Sequence, residues 1–252
     1  LVKDHHQSTL LKIDEFRTSI LGISNLIASN PNLGSSTAEG FTLKMKRYKG
    51  EDSDNLSILL DKLKTEPTGE PKPFKLSVRD IFISDGYYSY IDENVSTPEI
   101  VILDKLELQA EYLDVLDQEF KVNINSMQAE EGRGLDIKNL KTNFSYSPTK
   151  MNLDSFFLNT PYSNIEGAIE MEYTLEDFSD FLNKVNWKIK LVESNISTND
   201  LVNFYAPFGN NQNLFISTTL EGTLNDFVLR DLDLRGMDRS HMDGLVSIKG
   251  AF

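Results

Sequence analysis

One irregularity in an alternating pattern, present twice in this chain at an interval of 76 residues, constrains the fold more than any other sequence feature. NLDSFFLNTPYSNIEGAIEM, from residue 152, and VLRDLDLRGMDRSHMDGLVSIKG, from residue 228, alternate apolar and polar residues as the two strands of a β-hairpin do. The apolar spacing changes once from two to three, at Leu153 to Phe156 and at Leu229 to Leu232. A β-bulge absorbs one extra residue and returns the apolar side chains to one face, so each stretch predicts a bulged hairpin.

The same spacing of three recurs elsewhere in the chain, and polar residues fill it each time. A bulge leaves backbone groups partly unpaired, so polar side chains turned toward water suit that position. Six occurrences predict a structural repeat made of a bulged strand, a turn and a straight strand. The polar pairs inside the six spacings are Asp14 and Glu15, Arg79 and Asp80, Asp104 and Lys105, Lys138 and Asn139, Asp154 and Ser155, and Arg230 and Asp231.

Most of the remaining sequence predicts strands. Residues 74–173 form a run of strand-like segments, with turns expected near Asp85-Gly86 and at four later positions. The segment LSILLDKLK, from residue 56, has the apolar spacing of a short amphipathic helix. The sequence therefore predicts a mostly antiparallel β fold, elongated and twisted, in which residues 1–252 form one domain that is a piece of a longer chain.

Two further short helices are predicted from their capping residues. In TLEDFSDFLNKV, Thr174 is the expected N-cap and Asp177 completes a capping box. STNDLVNFYAPF predicts a helix capped by Ser197 or Thr198. The β fold is thus expected to carry two or three short helical inserts.

Composition narrows the functional classes. The net charge of −14 disfavours nucleic acid as a partner, because the phosphate backbone would repel the chain. The absence of cysteine excludes disulfides, thiolate metal sites and cysteine catalysis, and fits a periplasmic or secreted protein. No Gly-x-Ser-x-Gly, His-Glu-x-x-His or Walker motif is present, so no enzyme activity, catalytic residue or cofactor is predicted.

No metal site is predicted either. His5 and His6 are adjacent, and on a strand neighbouring side chains point to opposite faces. His241 is the only other histidine. The acidic segment EDSDN lacks the ligand spacing of a calcium loop and is interpreted as a solvated turn.

The apolar face of the predicted strands has two interpretations. It is either the core of an ordinary β-sandwich or the floor of an open trough, and bulged hairpins favour the trough because bulges increase twist. A long apolar trough on an acidic protein requires an occupant, and a lipid chain would fit it. The candidate floor residues are Val78, Ile81, Ile83, Leu106, Leu108, Leu140, Phe144, Leu153, Phe156, Leu158, Ile165, Ile169, Met171, Leu214, Ile216, Leu220, Leu232, Leu234, Val246 and Ile248.

From about residue 8 to its end, the sequence resembles the amino-terminal part of TamB-like proteins of the Bacteroidota, within the AsmA-like group. The resemblance is carried by the order of RYKGE after an alternating strand, then LDIKNL, LEDFSDFLNKV, FYAPFG and LEGTLNDF. It implies a β-taco, a half-pipe with an apolar concave face, in a periplasmic envelope protein held in the inner membrane by an anchor helix ahead of this chain. It also implies phospholipid transport between the inner and outer membranes, and an outer-membrane barrel partner met through regions outside this chain.

Three functional hypotheses follow. In the first, phospholipid acyl chains lie along the groove, with an associated role in outer-membrane protein assembly. In the second, the protein is a structural or chaperone-like scaffold that receives a strand of an outer-membrane protein at an open sheet edge. The third is a β-solenoid enzyme or adhesin acting on glycans, which predicts parallel coils and is disfavoured by the hairpin turns.

Overall fold

The computed structural model describes residues 1–21, 30–63, 73–95, 99–204, 206–236 and 240–251. This part of the chain is mostly β, with fifteen strands assigned to one open sheet and a few short helices, which confirms the predicted fold class. None of the described helices has the length and apolar character needed to span a bilayer. The Cα positions group into two compact units, Leu1–Gly132 and Arg133–Phe252, called unit 1 and unit 2 and described separately below. The assignment of residues 1–252 to one domain stays a prediction.

Unit 1 is organised around the long strand β6. Its strands are β1 (Val2–Lys3), β2 (Thr9–Lys12), β3 (Glu15–Ile20), β4 (Asn32–Glu39), β5 (Thr42–Arg47), β6 (Lys75–Asp92), β7 (Glu99–Leu116) and β8 (Glu119–Glu131). The two short strands β4 and β5 pair in parallel with successive halves of β6, while the other pairings are antiparallel. Helix α1 (Asn55–Leu63) lies on the crossover from β5 to β6, where a parallel pair needs such a connection. The predicted helix from residue 56 is confirmed.

Unit 2 is an antiparallel meander in which each strand pairs with the next along the chain. Its strands are β9 (Asp136–Ser147), β10 (Lys150–Asn159), β11 (Asn164–Glu172), β12 (Asn186–Ser197), β13 (Asn213–Gly222), β14 (Asp226–Gly236) and β15 (Ser240–Lys249). Short helices lie in two of the connections: a 3-10 helix (Leu175–Asp180) followed by α2 (Phe181–Lys184), then α3 (Thr198–Leu201) and a 3-10 helix (Ala206–Phe208). The antiparallel pairing contradicts the parallel coils of a solenoid.

Three of the six predicted bulges are confirmed. The register shifts at Asp104 to Glu107, at Leu153 to Phe156 and at Leu229 to Leu232. The prediction is wrong at the other three places. β6 keeps its register with β7 across residues 79–80, β9 keeps its register with β10 at residues 139–141, and residues 13–14 form the corner between β2 and β3.

A regular repeat emerges in unit 2 from the bulges. Positive φ angles occur at Ser155 in β10, Glu193 in β12 and Asp231 in β14, which are 38 residues apart in each case. Each interval contains one bulged strand, one straight strand, one short turn and one connection with helices. The interval of 76 residues in the sequence is therefore two repeats, and the bulge at Glu193 is the one that the apolar pattern did not reveal.

Several local predictions require correction. Asp85-Gly86 is not a turn, because β6 continues through it with Asp85 at φ 50°. The hairpin turn between β7 and β8, at Asp117 with φ 55°, was not predicted. His5 and His6 lie in the turn between β1 and β2 rather than on a strand.

The predicted caps are present. Thr174 and Asp177 form the capping box, although the helix they begin is a 3-10 helix that continues into α2. Ser197 is the N-cap of α3, where its hydroxyl accepts a hydrogen bond from the backbone N–H of Asn199 at 3.3 Å. The described hydrophobic core cluster of unit 2, formed by Met171, Tyr173 and Val185, lies beside the capped segment.

Candidate functional site

An uninterrupted apolar row crosses all seven strands of unit 2. Residues directly opposite each other on paired strands have their side chains on the same face of a sheet, so the register of each pair defines the row. Five of the seven members belong to the predicted floor. In order from β9 to β15, the first row is Phe144, Leu153, Ile169, Ile189, Leu220, Leu229 and Val246.

A second row lies two residues further along each strand and therefore on the same face. It contains three aromatic residues and two methionines, and its one gap in side chains is Gly222 on β13. The second row is Tyr146, Met151, Met171, Trp187, Gly222, Phe227 and Ile248.

The bulges keep the apolar face continuous on the other side of the first row. Phe156 lies opposite Gly167 on β11, and Leu232 lies opposite Gly244 on β15. Because Gly167 and Ile169 are two residues apart on a straight strand, Phe156 shares the face of Ile169 despite the spacing of three on β10. The irregular spacing in the sequence is thus the device that holds the apolar residues on one face.

Beyond the bulges the apolar face continues in two groups. On β9 to β11 the predicted floor residues Leu140, Leu158 and Ile165 lie opposite one another. On β13 to β15 the residues Ile216, Leu234 and Met242 do the same, and Leu214 lies opposite Ile196. We call the apolar face of unit 2 formed by these rows the floor.

The floor is only partly covered by the protein. All seven members of the first row are partly exposed, and of the predicted floor residues in unit 2 only Phe156, Met171 and Leu232 are buried. A closed β-sandwich core of the same residues would bury most of these side chains. The burial pattern therefore favours an open apolar face over a sandwich core.

The opposite face of the same strands is mainly polar. Residues displaced by one position from the first two rows include Asn152, Glu170, Lys188 and Glu221, which lie opposite one another across β10 to β13. Ion pairs join Glu170 to Lys150 at 2.8 Å and Glu221 to Lys188 at 3.5 Å. Water is thus the natural neighbour of this face, and the two sides of unit 2 differ sharply in polarity.

The helical segment after β11 covers one part of the floor. Phe178 and Phe181 pack against the core cluster of Met171, Tyr173 and Val185, and the Phe181 ring lies edge-on to Trp187 with centroids 5.9 Å apart. Burial raises the pKa of the Tyr173 phenol well above its ordinary value, and its hydroxyl donates to the carbonyl oxygen of Ser147 at 3.0 Å. This segment covers the second row around Met171, whereas the first row remains partly exposed.

The predicted floor residues of unit 1 form a second, smaller apolar face. Ile83 and Leu108 lie opposite each other and extend to Ala38 on β4 and Met127 on β8. Ile81 lies opposite Ala110. Val78 pairs with Leu33 and Leu113, and Leu106 lies opposite Gly86. Of these five predicted residues, Val78 and Leu106 are buried.

The sequence interpretation missed part of the floor of unit 2. Its list omits Ile189 and Leu229 from the first row, and Tyr146, Trp187 and Phe227 from the second. All five have an apolar or aromatic residue two positions away on the same strand, so the period of two was the available signal. No hydrogen-bond partner of the buried Trp187 indole Nε1 occurs within the described ranges.

No protein-family model matches the chain, and comparisons with curated proteins and with solved structures find no match either.

Proposed function

We propose that the floor binds phospholipid acyl chains and that the protein is a periplasmic, inner-membrane-anchored protein that carries phospholipid between the two membranes, as the resemblance to TamB-like proteins implies. The observation that supports this most is the first row, seven apolar side chains in succession that are all partly exposed. An exposed apolar surface of this extent on a protein with a net charge of −14 is typical of a binding surface.

The dimensions of the floor suit an acyl chain. Neighbouring strands in a sheet lie about 4.8 Å apart, so a row across seven strands spans roughly 29 Å. The hydrocarbon core of a bilayer is about 30 Å thick, which makes each leaflet about 15 Å deep. One row is thus long enough for an extended acyl chain lying across the strands.

The proposed mechanism is passive. Each methylene group buried on the floor contributes about 0.8 kcal/mol, so the tails remain on the floor while charged head groups stay in water at its margin. The rows run across the strands without a polar interruption in the first row, so a tail moves along them without crossing a charged group. Such transfer needs no catalytic residue and no cofactor.

A matched pair of adjacent substitutions tests the proposal. Ile169 belongs to the first row, and Ala168 beside it lies on the opposite face, across from Lys190 on β12. We expect Ile169→Glu to place a charge in the floor and to abolish retention of phospholipid. Ala168→Glu introduces the same charge beside a lysine and is expected to leave retention unchanged.

The measurement is native mass spectrometry of the purified chain after incubation with phosphatidylethanolamine and phosphatidylglycerol vesicles, with quantification of extracted lipid. The proposal requires about one or more lipids per wild-type and Ala168→Glu chain and a loss of at least tenfold in Ile169→Glu. Circular dichroism of all three proteins establishes that each is folded. A wild-type chain that takes up no lipid, or equal uptake by both variants, would overturn the proposal.

A second candidate function is strand addition at β15. Within the described ranges β15 pairs only with β14, and Met242 and Leu245 are 51% and 65% exposed. An unpaired edge of this kind can accept a strand from another protein. Proline in place of Ser247 on β15 would then reduce binding of an unfolded outer-membrane barrel protein while leaving lipid uptake intact, and Ile169→Glu would do the reverse.

A further inference from the structure

Two histidines and a glutamate of unit 1 converge at one point. The Nε2 atom of His5 lies 3.0 Å from both carboxylate oxygens of Glu51, and the Nε2 atom of His6 lies 2.8 Å from Oε1 of the same carboxylate. One potential ligand atom from each residue lies within 4.8 Å of the other two. The three side chains thus form a cluster of metal-ligating groups.

A turn brings the adjacent histidines together. On a strand they would point to opposite faces, but residues 5–6 lie in the turn between β1 and β2, where Gln7 has φ 63°. The two imidazole centroids are 4.4 Å apart. The Tyr48 ring packs against both of them, with centroid distances of 5.6 Å to His5 and 3.9 Å to His6.

A buried carboxylate holds the backbone of this turn. Asp4 is 6% exposed and accepts hydrogen bonds from the backbone N–H groups of His6 and Ser8, both at 2.9 Å. Its other oxygen accepts from the Tyr48 hydroxyl at 2.7 Å and from the Asn55 amide at 3.0 Å. Four hydrogen bonds to one buried acid fix the turn, and with it the positions from which both imidazoles extend.

The segment that supplies Glu51 is also fixed. Its backbone N–H donates to the carbonyl oxygen of Tyr48 at 3.0 Å, and its own carbonyl oxygen accepts from the Asn94 amide at 3.3 Å. β2 and β5 are antiparallel, so the segment before β2 and the segment after β5 meet at the same end of the pair. The cluster therefore joins two separate loops.

We propose that His5, His6 and Glu51 form a binding site for a divalent late first-row transition metal ion, with Zn²⁺ as the representative. Two imidazole nitrogens and one carboxylate are a ligand set used for such ions, and water completes the coordination. With metal–ligand bonds of about 2.0–2.2 Å, ligands in tetrahedral geometry lie roughly 3.3 Å apart, close to the nitrogen–oxygen distances of the cluster. Metal binding replaces the histidine–carboxylate hydrogen bonds with little movement.

The site is accessible to an ion from solvent. The side chains of His5, His6 and Glu51 are 22%, 46% and 28% exposed, so the ligand atoms are reachable while the tyrosine and aspartate that position them are buried or half-buried. Bound metal would connect the turn before β2 with the segment after β5. We therefore expect it to stabilise unit 1 by linkage, in proportion to its free concentration.

The chain offers a matched control in unit 2. His241 lies 3.2 Å from Asp233, which is a histidine–carboxylate pair of the same chemistry with one imidazole instead of two. If histidine–carboxylate pairs bound the metal without a convergent third ligand, His241→Ala would lower the affinity as well. If convergence is what matters, His241→Ala has no effect.

The experiment is titration of the tag-free, chelator-treated chain with ZnCl₂ by isothermal titration calorimetry, followed by Co²⁺ absorption spectroscopy and thermal unfolding with and without metal. We expect one equivalent of Zn²⁺ to bind, the Tm to rise with metal concentration, and a chelator to reverse the rise. His6→Ala and Glu51→Gln are each expected to weaken binding by at least tenfold, and His241→Ala to leave it unchanged. Glu51→Gln retains an oxygen acceptor, so it separates metal binding from hydrogen bonding within the loops.

Two results would overturn the proposal. The first is a wild-type chain that is folded by circular dichroism and binds no Zn²⁺ or Co²⁺ at millimolar concentration. The second is binding that His6→Ala and Glu51→Gln leave unchanged, since the ion would then reside elsewhere. In either case the cluster is a hydrogen-bonded link between two loops, and its substitutions change the metal-free Tm alone.

Discussion

Thr142 donates a hydrogen bond from its side-chain hydroxyl to the backbone carbonyl oxygen of Asp154 at 3.0 Å, at the bulge of β10. Its counterpart 76 residues later, Thr218, makes the same bond to the carbonyl oxygen of Arg230 at 2.9 Å, at the bulge of β14. Both threonines are buried. A buried hydroxyl on the neighbouring strand thus satisfies a carbonyl that the bulge removes from the regular ladder.

We expect Thr142→Val to reduce the free energy of unfolding by about 1–3 kcal/mol, because it leaves that carbonyl without its hydrogen-bond donor. Thr142→Ser retains the hydroxyl and is expected to lose less than half as much. Urea denaturation of both variants checks the expectation. Equal stability of Thr142→Val and the wild-type chain would show that the hydroxyl does not support the bulge.

Gly167 and Gly244 occupy equivalent places opposite the bulged strands but differ in their surroundings. A Cβ atom at Gly167 would overlap the carbonyl oxygen of Lys190, whereas a Cβ at Gly244 would meet nothing within 4 Å. We expect Gly167→Ala to reduce the free energy of unfolding by about 2–4 kcal/mol. Gly244→Ala, whose cost comes only from its positive φ of 123°, is expected to lose about 1 kcal/mol. Thermal unfolding that ranks the two variants in the opposite order would contradict this account of β11.

The helical cover over the floor can be tested at Phe181. Its ring packs edge-on against Trp187, the only tryptophan of the chain. We expect Phe181→Ala to shift the Trp187 emission to longer wavelength, because water reaches the indole, and to lower stability by about 2–4 kcal/mol. Leu182, which is 39% exposed on the same segment, provides the control. Leu182→Ala is expected to leave the emission unchanged, and a shift of the same size in both variants would argue against a specific cover.

The ion pair of Asp92 and Arg47 in unit 1 makes stability depend on pH. Burial by itself raises the pKa of Asp92, but hydrogen bonds from Arg47 and Asn94 outweigh it and hold the pKa below its ordinary value. A carboxyl with a lowered folded-state pKa stabilises the protein above its unfolded pKa of about 3.9, and this contribution is lost as pH falls through the folded-state value.

We therefore expect Asp92→Asn to reduce the free energy of unfolding at pH 7 by about 3 kcal/mol, because Arg47 loses its buried partner. The deficit should narrow as pH falls below about 3.9, where the wild-type carboxyl becomes neutral as well. Asp233→Asn, at an exposed carboxylate, serves as the control and should show little change. Urea denaturation from pH 7 to pH 3 checks both, and a deficit that does not depend on pH would refute the electrostatic explanation.

The sequence predicts bulges reliably where apolar residues mark both sides of the irregular spacing. This holds at Leu153 to Phe156 and at Leu229 to Leu232. In β12 the register shifts between Leu191 and Ser194, and the small polar side chain at the end of the spacing concealed the bulge. Ser194 is 0% exposed, and its hydroxyl accepts a hydrogen bond from the backbone N–H of Glu166 at 3.0 Å, so a buried polar residue there has a structural role that a pattern of apolar residues does not detect.

The pairing of distant segments also lies beyond a local pattern. The two parallel pairings of β6 and the meeting of residues 5–6 with Glu51 depend on the crossover through α1 and on the β2–β5 pairing. Adjacent histidines were assigned to a strand because the flanking residues alternate, yet Asp4 and Gln7 form a turn there. Local spacing predicts which face a residue occupies within a strand, whereas it does not predict which loops meet.

The most direct test of the floor uses Trp187, which lies in its second row. Its fluorescence would be measured as the chain takes up phospholipids brominated on the acyl chain, with lipids that carry the quencher on the head group as the comparison. If acyl chains lie on the floor, acyl-chain bromine quenches Trp187 strongly, head-group quenchers do so weakly, and Ile169→Glu abolishes the effect while Ala168→Glu does not. Unchanged Trp187 fluorescence with lipid demonstrably bound to the chain would contradict the assignment of the floor as the lipid-binding surface.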